Sequence, residues 1–521
     1  MTQRPISVPQ PYLVLHRGEI ALACGREAEV LAEELHGLFA GDTRVLSTYR
    51  FGIGGHPWRL LACWQTDNDS ARWAFQNRVI RDATGDIPEG NILLDLKRQL
   101  DGGLHDAFYV RSFLRRPLRT RFSLQVDADF ADVFEVKQRT LLPRISMSRS
   151  LDTKGITLEY EREGFRRALH IRFTVDHPLP YFVGSQVVFD LDIPPGEAWE
   201  CSVDVAPIID GTHSKARGHL QVSEATPEAF AYPEPSVSGA LVEGPFRQGQ
   251  RDLHALAVPQ DGAPPYAAAG VRWFLTLFGR DPLVTALMAG IDGPWTAEGI
   301  LTALGRYQAD RRDDWRDAEP GKLPHELRRG ERAWQGVIPH TPYFGTHDAP
   351  ALYCLTLWNA WRWTGDNTLL DRHLSTAQAA LRWCDDLGDR DGDGFLEYAT
   401  RSRKGYRNQG WKDAEDAIVH ADGALAAPPL ATVELQGYLF AARLAMAELL
   451  EAVGQPAEAA RLRTQARALR RQVEDRFWVE SERFYALALD KQKRQVASVT
   501  SNPGHLLWCG LPSRERAARV A

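Results

Sequence analysis

The sequence has few cysteines, and their spacing excludes the sites that cysteines usually build. Six are spread over 521 residues, at Cys24, Cys63, Cys201, Cys354, Cys384 and Cys509, and no two stand in a C-x-x-C pattern. This spacing argues against a zinc site and against a disulfide framework. We expect six reduced thiols.

Long apolar runs and an excess of charge of one sign are also lacking. Hydrophobic residues make up 44% of the chain and charged residues 25%, with no apolar stretch long enough to cross a membrane. The first residues, "MTQRPISVPQPYLVLHRGEI", show no basic region followed by an apolar stretch, so no secretory signal is predicted and the cytoplasm is the expected location. A net charge of −6 with interleaved arginines and acids favours an uncharged substrate over nucleic acid.

Tryptophan, in contrast, is frequent, with 15 residues. Sugar-binding clefts favour indole rings because the C–H faces of a pyranose stack on them, although tryptophan is equally common in hydrophobic cores. A chain of 521 residues is long enough for two domains or for one large helical array.

Residues 1–230 show the alternation that is typical of half-buried strands. The segments "RFSLQVDADF", "ALHIRFTVD" and "VVFDLDIPPGE" each place apolar residues on one face, and the last ends at a Pro-Pro-Gly turn signal. These residues are Phe122, Leu124, Val126, Ala128 and Phe130, then Leu169, Ile171, Phe173 and Val175, then Val187, Phe189, Leu191 and Ile193. Many such strands in series predict an N-terminal antiparallel β-sandwich.

Residues 231–521 change to the helical period, after a proline-rich segment at 225–245 that is expected to mark the domain boundary. Apolar stripes from Leu439 to Leu449 and from Leu462 to Phe477 flank Gly454 and Pro456, which predicts a helical hairpin. Comparable segments lie near 281–291, 296–308, 351–364 and 367–387. Antiparallel helix pairs joined by loops of varied length are therefore predicted.

Four loops or helix starts contain polar and aromatic clusters. They are "WFLTLFGRDPL" (273–283), "GKLPHELRRGE" (321–331), "RDGDGFLEYATRSRKGYRNQGWKDAED" (390–416) and "TSNPGHLLW" (500–508), with "PYFGTHDAP" between the second and third. Aromatic side chains can stack on sugar rings, and charged side chains can bind vicinal hydroxyls. Long loops on a helical scaffold are more often used for function than for folding.

Structural explanations compete for three of these features. Arg280 and Asp281 would also fit an exposed ion pair at a helix start, with Pro282 in the first turn. Asp389, Asp391 and Asp393 resemble the start of a calcium loop, but the twelfth position is Thr400 instead of glutamate, which favours a plain turn. A metal site from His325, His347 and His505 is less favoured than three hydrogen-bonded structural histidines.

The segment "GYRNQGWKDAEDAI" (405–418) is harder to explain by structure alone. A general acid for glycoside cleavage needs a raised pKa, which an apolar neighbour favours, and Trp411 near Asp413 offers such a wall. Asn408 and Gln409 can bind ring hydroxyls, and Gly410 allows a close approach of the backbone to a ligand.

The motifs "WFLTLFGRD", "GKLPHE", "NQGWKDAEDA" and "SNPGHLLW", in this order, resemble the bacterial and archaeal amylo-α-1,6-glucosidase family of glycogen-debranching enzymes. "GLFAGDTRVLSTYRF" (37–51) resembles the signature of that family's N-terminal domain. The resemblance implies a β-rich domain followed by an (α/α)6 six-hairpin toroid, and an inverting α-glycosidase without a cofactor that acts on an α-glucan or oligosaccharide.

The resemblance also implies roles for individual residues. Asp413 aligns with the acidic residue of the family motif and would be the general acid. Arg280 and Asp281 would hold hydroxyls of the nonreducing sugar, as the "FGRD" motif is thought to do in the family. The remaining residues would line the pocket: Trp273, Glu326, Asn408, Gln409 and Trp411.

The sequence departs from the family after "SNPGHLLW". Only about seven helical segments are counted, whereas a closed toroid needs twelve helices, and the family's general base follows that point. Glu415, Asp416 and Glu434 are weak candidates for this role, because none stands where the family places its base. We therefore expect a fragment of a longer hydrolase, or the product of an interrupted gene, with impaired turnover and uncovered apolar helix faces.

Two alternatives to a debranching enzyme remain open. Similar toroids cleave other α-glycosides, among them trehalose and mannosylglycerate. A protein that retains the sugar pocket without hydrolysis is the second alternative. A carboxylate facing Asp413 at the inverting distance of roughly 6.5 to 9.5 Å would distinguish an enzyme from such a binding protein.

Overall fold

A computed structural model describes residues 12–82, 85–152, 155–213, 240–293 and 295–521. Within these residues an antiparallel β domain precedes a helical domain, which confirms the predicted order. The predicted boundary between residues 230 and 231 lies outside the described residues, as does the proline-rich segment up to residue 239. Residues 240–245 belong to a helix, contrary to their assignment to a linker. No helix in the described ranges is long and apolar enough to cross a membrane.

The β domain is built from strands that alternate buried and exposed residues, as their sequence predicts. Its strands are β1 (Tyr12–Arg17), β2 (Ile20–Gly25), β3 (Gly37–Ala40), β4 (Thr43–Leu46), β5 (Thr48–Ile53), β6 (His56–Pro57), β7 (Arg59–Asp67), β8 (Ser70–Gln76), β9 (Ile80–Asp82), β10 (Gly85–Ile87), β11 (Ile92–Leu100), β12 (Leu104–Ser112), β13 (Leu118–Asp127), β14 (Ala131–Asp132), β15 (Met147–Leu151), β16 (Gly155–Arg162), β17 (Phe165–Thr174), β18 (Tyr181–Val183), β19 (Gln186–Ile193), β20 (Ala198–Ile209) and β21 (Thr212–His213). One short helix, α1 (Val133–Gln138), follows β14.

Three of the antiparallel sheets make up most of the domain. A nine-stranded sheet has the order β15-β16-β17-β20-β12-β11-β8-β7, with β21 on β20, and a five-stranded sheet has the order β18-β19-β13-β5-β6. These two sheets face each other, because the Phe108 ring on β12 lies 5.3 Å from both Phe51 on β5 and Phe122 on β13. The third sheet, β1-β2-β3-β4-β14, leads into α1. The predicted inward residues Phe122, Leu124 and Val126 are buried in the core of this sandwich.

The helical domain begins with α2 (Ala240–Ala255) and a hairpin of β22 (Ala257–Gln260) and β23 (Ala263–Ala267). Its further elements are α3 (Arg280–Met288), a 3₁₀ turn (Ala289–Asp292), α4 (Trp295–Arg306), α5 (Glu331–Trp334), α6 (Ala349–Thr364), α7 (Thr368–Trp383), a π turn (Cys384–Gly388), β24 (Ala431–Thr432), α8 (Val433–Ala452), α9 (Pro456–Arg476), β25 (Trp478–Val479), β26 (Phe484–Tyr485), β27 (Ala488–Leu489), β28 (Gln495–Val496), α10 (Gly504–Trp508) and α11 (Arg514–Val520). The pairs α6 with α7 and α8 with α9 are helical hairpins, as the apolar period predicts.

One face of the helical domain exposes large apolar side chains. A groove of about 300 Å³ lies between α3, α6, α8 and α10 and is lined by Leu355, Trp358, Leu444 and Trp508, among others. The Trp508 side chain is 55% exposed, and Met288 at the end of α3 is 79% exposed. Within the described residues, these side chains form an exposed apolar surface on the helical domain.

Candidate active site

The four polar and aromatic loops converge at one end of the helical domain. The backbone of Gly279, in the first loop, donates to the carbonyl of His325 in the second at 2.8 Å. The third loop joins the first, because the Arg280 guanidinium donates to Asp413 at 2.7 Å. The fourth is attached through Asn502, whose amide donates to Glu434 at 2.8 Å. Segments far apart in sequence therefore build one site.

Arg280 is the central cation of this site. It is the first residue of α3, and its buried guanidinium donates to Asp348 at 2.8 Å, to Asp413 at 2.7 Å and to the carbonyl of Gly410. Burial by itself would lower the pKa of Arg280, but the carboxylates of Asp348, Asp281 and Asp413 raise it well above its ordinary value. Arg280 is thus a permanently charged link between two loops, and the explanation as an exposed ion pair does not apply.

Asp413 stands at the edge between this buried cation and an open pocket. Its side chain is 47% exposed, and its Oδ2 accepts from Arg280. The apolar wall expected from Trp411 stays a prediction, and the hydrogen-bonded partner of the carboxylate is the Arg280 guanidinium. The indole of Trp411 packs on His505, with ring centroids 4.7 Å apart, and the Arg280 guanidinium lies 5.7 Å from the indole. The cation therefore lies near both the indole and the acid.

The pocket beside Asp413 encloses about 200 Å³ and is walled by both domains. Its lining residues are Val133, Phe134 and Lys137 from α1 of the β domain, and Trp273, Phe274, Phe278, His325, Glu326, Arg328, Tyr406 and Asp413 from the helical domain. Aromatic faces and a few charged groups in one concave site are typical of small-molecule sites and suit the two faces of a sugar ring.

Glu326 forms the charged floor of the pocket. It is buried and accepts hydrogen bonds from the Arg328 guanidinium and, at 2.9 Å, from the Tyr406 hydroxyl. Burial would raise the pKa of Glu326, but Arg328, with smaller effects from His340 and His325, lowers it below its ordinary value. Glu326 therefore remains ionised and presents acceptor oxygens in the pocket.

Asn408 and Gln409 lie behind the pocket instead of on its lining. Both are buried, and the Asn408 amide donates to the Ala414 carbonyl at 2.6 Å, while the Gln409 amide donates to Asp317 at 3.1 Å. These bonds shape the loop that carries Asp413. Asp281 lies in the first turn of α3 near Arg280 and is not part of the pocket lining either.

Gly410 makes room for neighbouring side chains. A Cβ at this position would lie 2.9 Å from an oxygen of Glu434 and 3.2 Å from the Thr432 hydroxyl, and the expected approach of a ligand to this backbone stays a prediction. Glu434 is fully buried and accepts from Thr432 at 2.8 Å, from Asn502 at 2.8 Å and from the Trp411 backbone at 3.3 Å. Glu434 thereby connects three segments of the chain, and burial raises the pKa of its carboxyl.

The three weak candidates for a general base do not line the pocket. Glu415 and Asp416 are exposed, and Glu434 is enclosed by its donors. Among the described residues, the pocket has Glu326 as its second carboxylate beside Asp413.

Several residues of the site were not predicted from the sequence. Asp348 has a fully buried side chain that also accepts from Thr346, and its position just before Ala-Pro at the start of α6 is the signal that sequence analysis could have used. Asp317 organises the third loop by accepting from Tyr343 at 2.8 Å and Thr400 at 2.7 Å. No local pattern around Asp317 marks this role.

The possible metal ligands fall into two groups. His325 lines the pocket, His347 packs on Trp383 with ring centroids 5.0 Å apart, and His505 lies between Trp411 and Tyr438. These packing positions agree with the preferred structural explanation for His347 and His505.

Asp389, Asp391 and Asp393 bring their carboxylates together, as a calcium loop would. The ammonium of Lys493 lies 3.0 Å from Asp391, 2.8 Å from Asp393 and 2.8 Å from Glu397. The chain itself thus supplies a cation to this acidic turn.

Comparison with known proteins identifies the two domains in broad terms. Residues 15–204 match a family model described as the N-terminal domain of some glycogen debranching enzymes, and residues 267–521 match the mannosylglycerate hydrolase MGH1-like glycoside hydrolase domain. No curated protein sequence matched the chain.

Two solved structures have a similar fold. One is assigned as a kojibiose phosphorylase from the human microbiome, with a TM-score of 0.56 and 8% identity over 91% of this chain and 69% of that one. The other is a bacterial glucoamylase complexed with acarbose, with a TM-score of 0.54 and 10% identity over 99% of this chain and 79% of that one. The expected fold of a β domain followed by a six-hairpin glycosidase domain is confirmed, while debranching specificity stays a prediction. The chain carries a glycoside-hydrolase-type domain joined to a β domain like that of some glycogen debranching enzymes.

Proposed function

We propose that the protein is an inverting α-glycoside hydrolase, amylo-α-1,6-glucosidase-like, that acts on α-glucosidic linkages in glycogen-like or branched oligosaccharides. The observation that carries the proposal is the position of Asp413, a half-exposed carboxyl at the edge of an aromatic pocket. The glycoside-hydrolase-type domain supports the reaction class, and the matched N-terminal domain supports a branched α-glucan as substrate.

Asp413 is the general acid of the proposed reaction. It donates a proton to the glycosidic oxygen as the bond to the anomeric carbon breaks, and water attacks that carbon from the opposite face and releases a proton to the surrounding water. The Arg280 guanidinium that contacts Asp413 is also paired with Asp348, 2.8 Å away, and these bonds fix the position of the Asp413 carboxyl.

Trp411, which is 38% exposed, and the partly buried Asp281 form the surface for the sugar that is cleaved, and the buried Arg280 positions Asp413 beside them. In the adjoining pocket the rings of Trp273, Phe274 and Tyr406 offer apolar faces to a pyranose, while ionised Glu326 accepts from its hydroxyls. Of the residues predicted to touch the substrate, Asn408 and Gln409 act indirectly, by holding the Asp413 loop in place.

A second candidate function has one specific observation in its favour. The helical domain matches a family model that is described as mannosylglycerate hydrolase MGH1-like, so hydrolysis of an α-glycoside with a small leaving group is the alternative activity. The two activities differ in the leaving group: a sugar chain for a debranching-type enzyme, and a small acid for the alternative.

A substrate panel tests the proposal and separates the two candidates. The purified chain is assayed on branched dextrin, an α-1,6-linked trisaccharide, trehalose and mannosylglycerate, and proton NMR identifies the anomer that is released first. We expect hydrolysis of the branched or α-1,6-linked substrates with release of β-glucose. Release of α-glucose would contradict inversion, and activity on mannosylglycerate alone would favour the second candidate.

Two variants test the assignment of the acid. Asp413→Asn should lower the rate by about 10² to 10⁴. Asp416→Asn is the matched control, because Asp416 is exposed, lies three positions further along the same loop and does not line the pocket, so its rate should equal that of the unmodified protein. An Asp413→Asn variant with an unchanged rate would contradict the assignment.

A further inference from the structure

One wall of the pocket beside Asp413 comes from the β domain. Helix α1 contributes Val133, Phe134 and Lys137 to the same cavity that Asp413 borders. These residues lie more than 270 positions before the acid in the sequence, and no motif marks them. A domain that served only as a packing partner would have no need to reach into the pocket.

Helix α1 is held rigidly against the helical domain. Asp132, which caps α1 by accepting from the Phe134 backbone at 2.9 Å, also accepts from the Arg332 backbone at 3.0 Å. Asp42 fixes the same junction, because its carboxylate accepts from the Arg328 guanidinium at 2.8 Å and from the Arg329 backbone at 2.8 Å. The wall is therefore fixed in place before any ligand binds, which is the condition for selective recognition.

Arg328 couples this wall to the charged floor of the pocket. Its guanidinium lies 5.0 Å from the centroid of the Phe134 ring and also donates to Glu326. On the other side, the Lys137 ammonium lies 5.1 Å from the centroid of Phe274, a ring that is 40% exposed. Two aromatic rings and an ammonium group thus line a region where a sugar could be stacked and hydrogen-bonded.

The position of the acid decides which sugar this region holds. A general acid protonates the oxygen between the cleaved sugar and the leaving group, so it must lie between the two. Asp413 contacts Arg280 on one side and borders the pocket on the other, whereas Arg280 and Trp411 do not line that pocket. With the cleaved sugar on the Trp411 side of Asp413, the pocket is on the leaving-group side.

We infer that α1 of the β domain forms a leaving-group subsite that takes a second sugar ring, with Phe134 stacking on the ring face and Lys137 donating to its hydroxyls. The inference rests on the proposed function and narrows it to α-linked oligosaccharides, as opposed to glycosides with a small leaving group. It also gives the β domain a direct role in substrate choice.

Two substrates that differ only in the leaving group test this subsite. The α-1,6-linked trisaccharide fills it, whereas α-glucosyl fluoride has a leaving group too small to reach it. For Phe134→Ala we expect the ratio of kcat/KM for the trisaccharide to kcat/KM for the fluoride to fall at least about tenfold, or about 1.4 kcal/mol. For Lys137→Ala the ratio should fall about threefold.

Gln138→Ala is the matched control, because Gln138 lies on the same helix, is exposed and does not line this pocket. Its ratio should equal that of the unmodified protein. If Phe134→Ala does not fold, Phe134→Leu retains an apolar side chain without the ring and should show the same direction of change. An unchanged ratio in the Phe134 variant, or equal losses on both substrates, would overturn the inference.

The outcome can be separated from failure of the proposed function. If the unmodified protein hydrolyses neither substrate, the proposed function is wrong, and binding then decides the subsite. Titration with maltotetraose, followed by tryptophan fluorescence, should show about tenfold weaker binding for Phe134→Ala. Equal binding by the variant and the unmodified protein, or absence of binding by both, would overturn the inference.

Discussion

Replacing Arg280 by methionine should destabilise the helical domain far more than replacing its exposed partner. Methionine keeps an unbranched apolar side chain but removes the guanidinium, which leaves the carboxylate of Asp348 buried with the Thr346 hydroxyl as a donor. Breaking a buried ion pair by removing one partner costs about 3 to 5 kcal/mol, because the remaining charge is uncompensated. Asp413→Asn removes a carboxylate that is 47% exposed, and this change should cost about 0 to 1 kcal/mol.

The assay is urea unfolding at neutral pH, followed by tryptophan fluorescence, for both single variants and for Arg280→Met combined with Asp348→Asn. The double variant removes both buried charges, so it should regain much of the stability that Arg280→Met alone loses. If Arg280→Met were as stable as Asp413→Asn, or if the double variant were less stable than Arg280→Met, the assignment of Arg280 as the buried link of the site would be refuted.

Three further changes have defined outcomes. Burial lowers the pKa of His340 from its ordinary 6.5 to about 4, so the unfolded chain binds the imidazole proton more tightly than the folded protein does. The neutral imidazole therefore contributes its full stability above pH 6.5, and up to about 3 kcal/mol of that stability is lost as the pH falls to 4. Urea unfolding at pH 7.5 and 4.5 should show a smaller loss of stability between these two pH values for His340→Asn than for the unmodified protein. Lys493→Met removes the cation among three carboxylates, so it should lower the melting temperature and cost about 2 kcal/mol of stability. Calcium should raise the melting temperature of the variant more than that of the unmodified protein. Equal melting temperatures for the variant and the unmodified protein would contradict this role. Gly410→Ala should displace Glu434 and the Asp413 loop and reduce kcat more than about tenfold, and an unchanged kcat would show that the contact at 2.9 Å is relieved without moving the loop.

The helices and strands of the two domains follow from local sequence patterns. The stripe from Leu439 to Leu449 predicts α8, and the alternation from Phe122 to Val126 predicts β13, because each pattern matches the period of its element. The structure adds the extra turn at the start of α8, where Glu434 is buried by partners that are distant in sequence.

The candidate site is less accessible to sequence analysis, because its contacts join distant segments. The polar loops and Asp413 stand out by composition, but the inward turn of Asn408 and Gln409 depends on acceptors such as Asp317, 92 positions away from Gln409. In the same way Phe134 lies in an unremarkable stretch of the β domain, and only the packing of the two domains brings it to the pocket. Local patterns predict which loops matter, and tertiary contacts decide which side chains face a ligand.

The measurement that tests the central claim most directly compares Asp413→Asn with the unmodified protein on two substrates. An α-1,6-linked trisaccharide needs a protonated leaving group, whereas fluoride leaves without a proton. If Asp413 is the general acid, the variant should lose about 10² to 10⁴ in kcat on the trisaccharide and far less on α-glucosyl fluoride. Equal losses on both substrates, or no loss on the trisaccharide, would contradict the account.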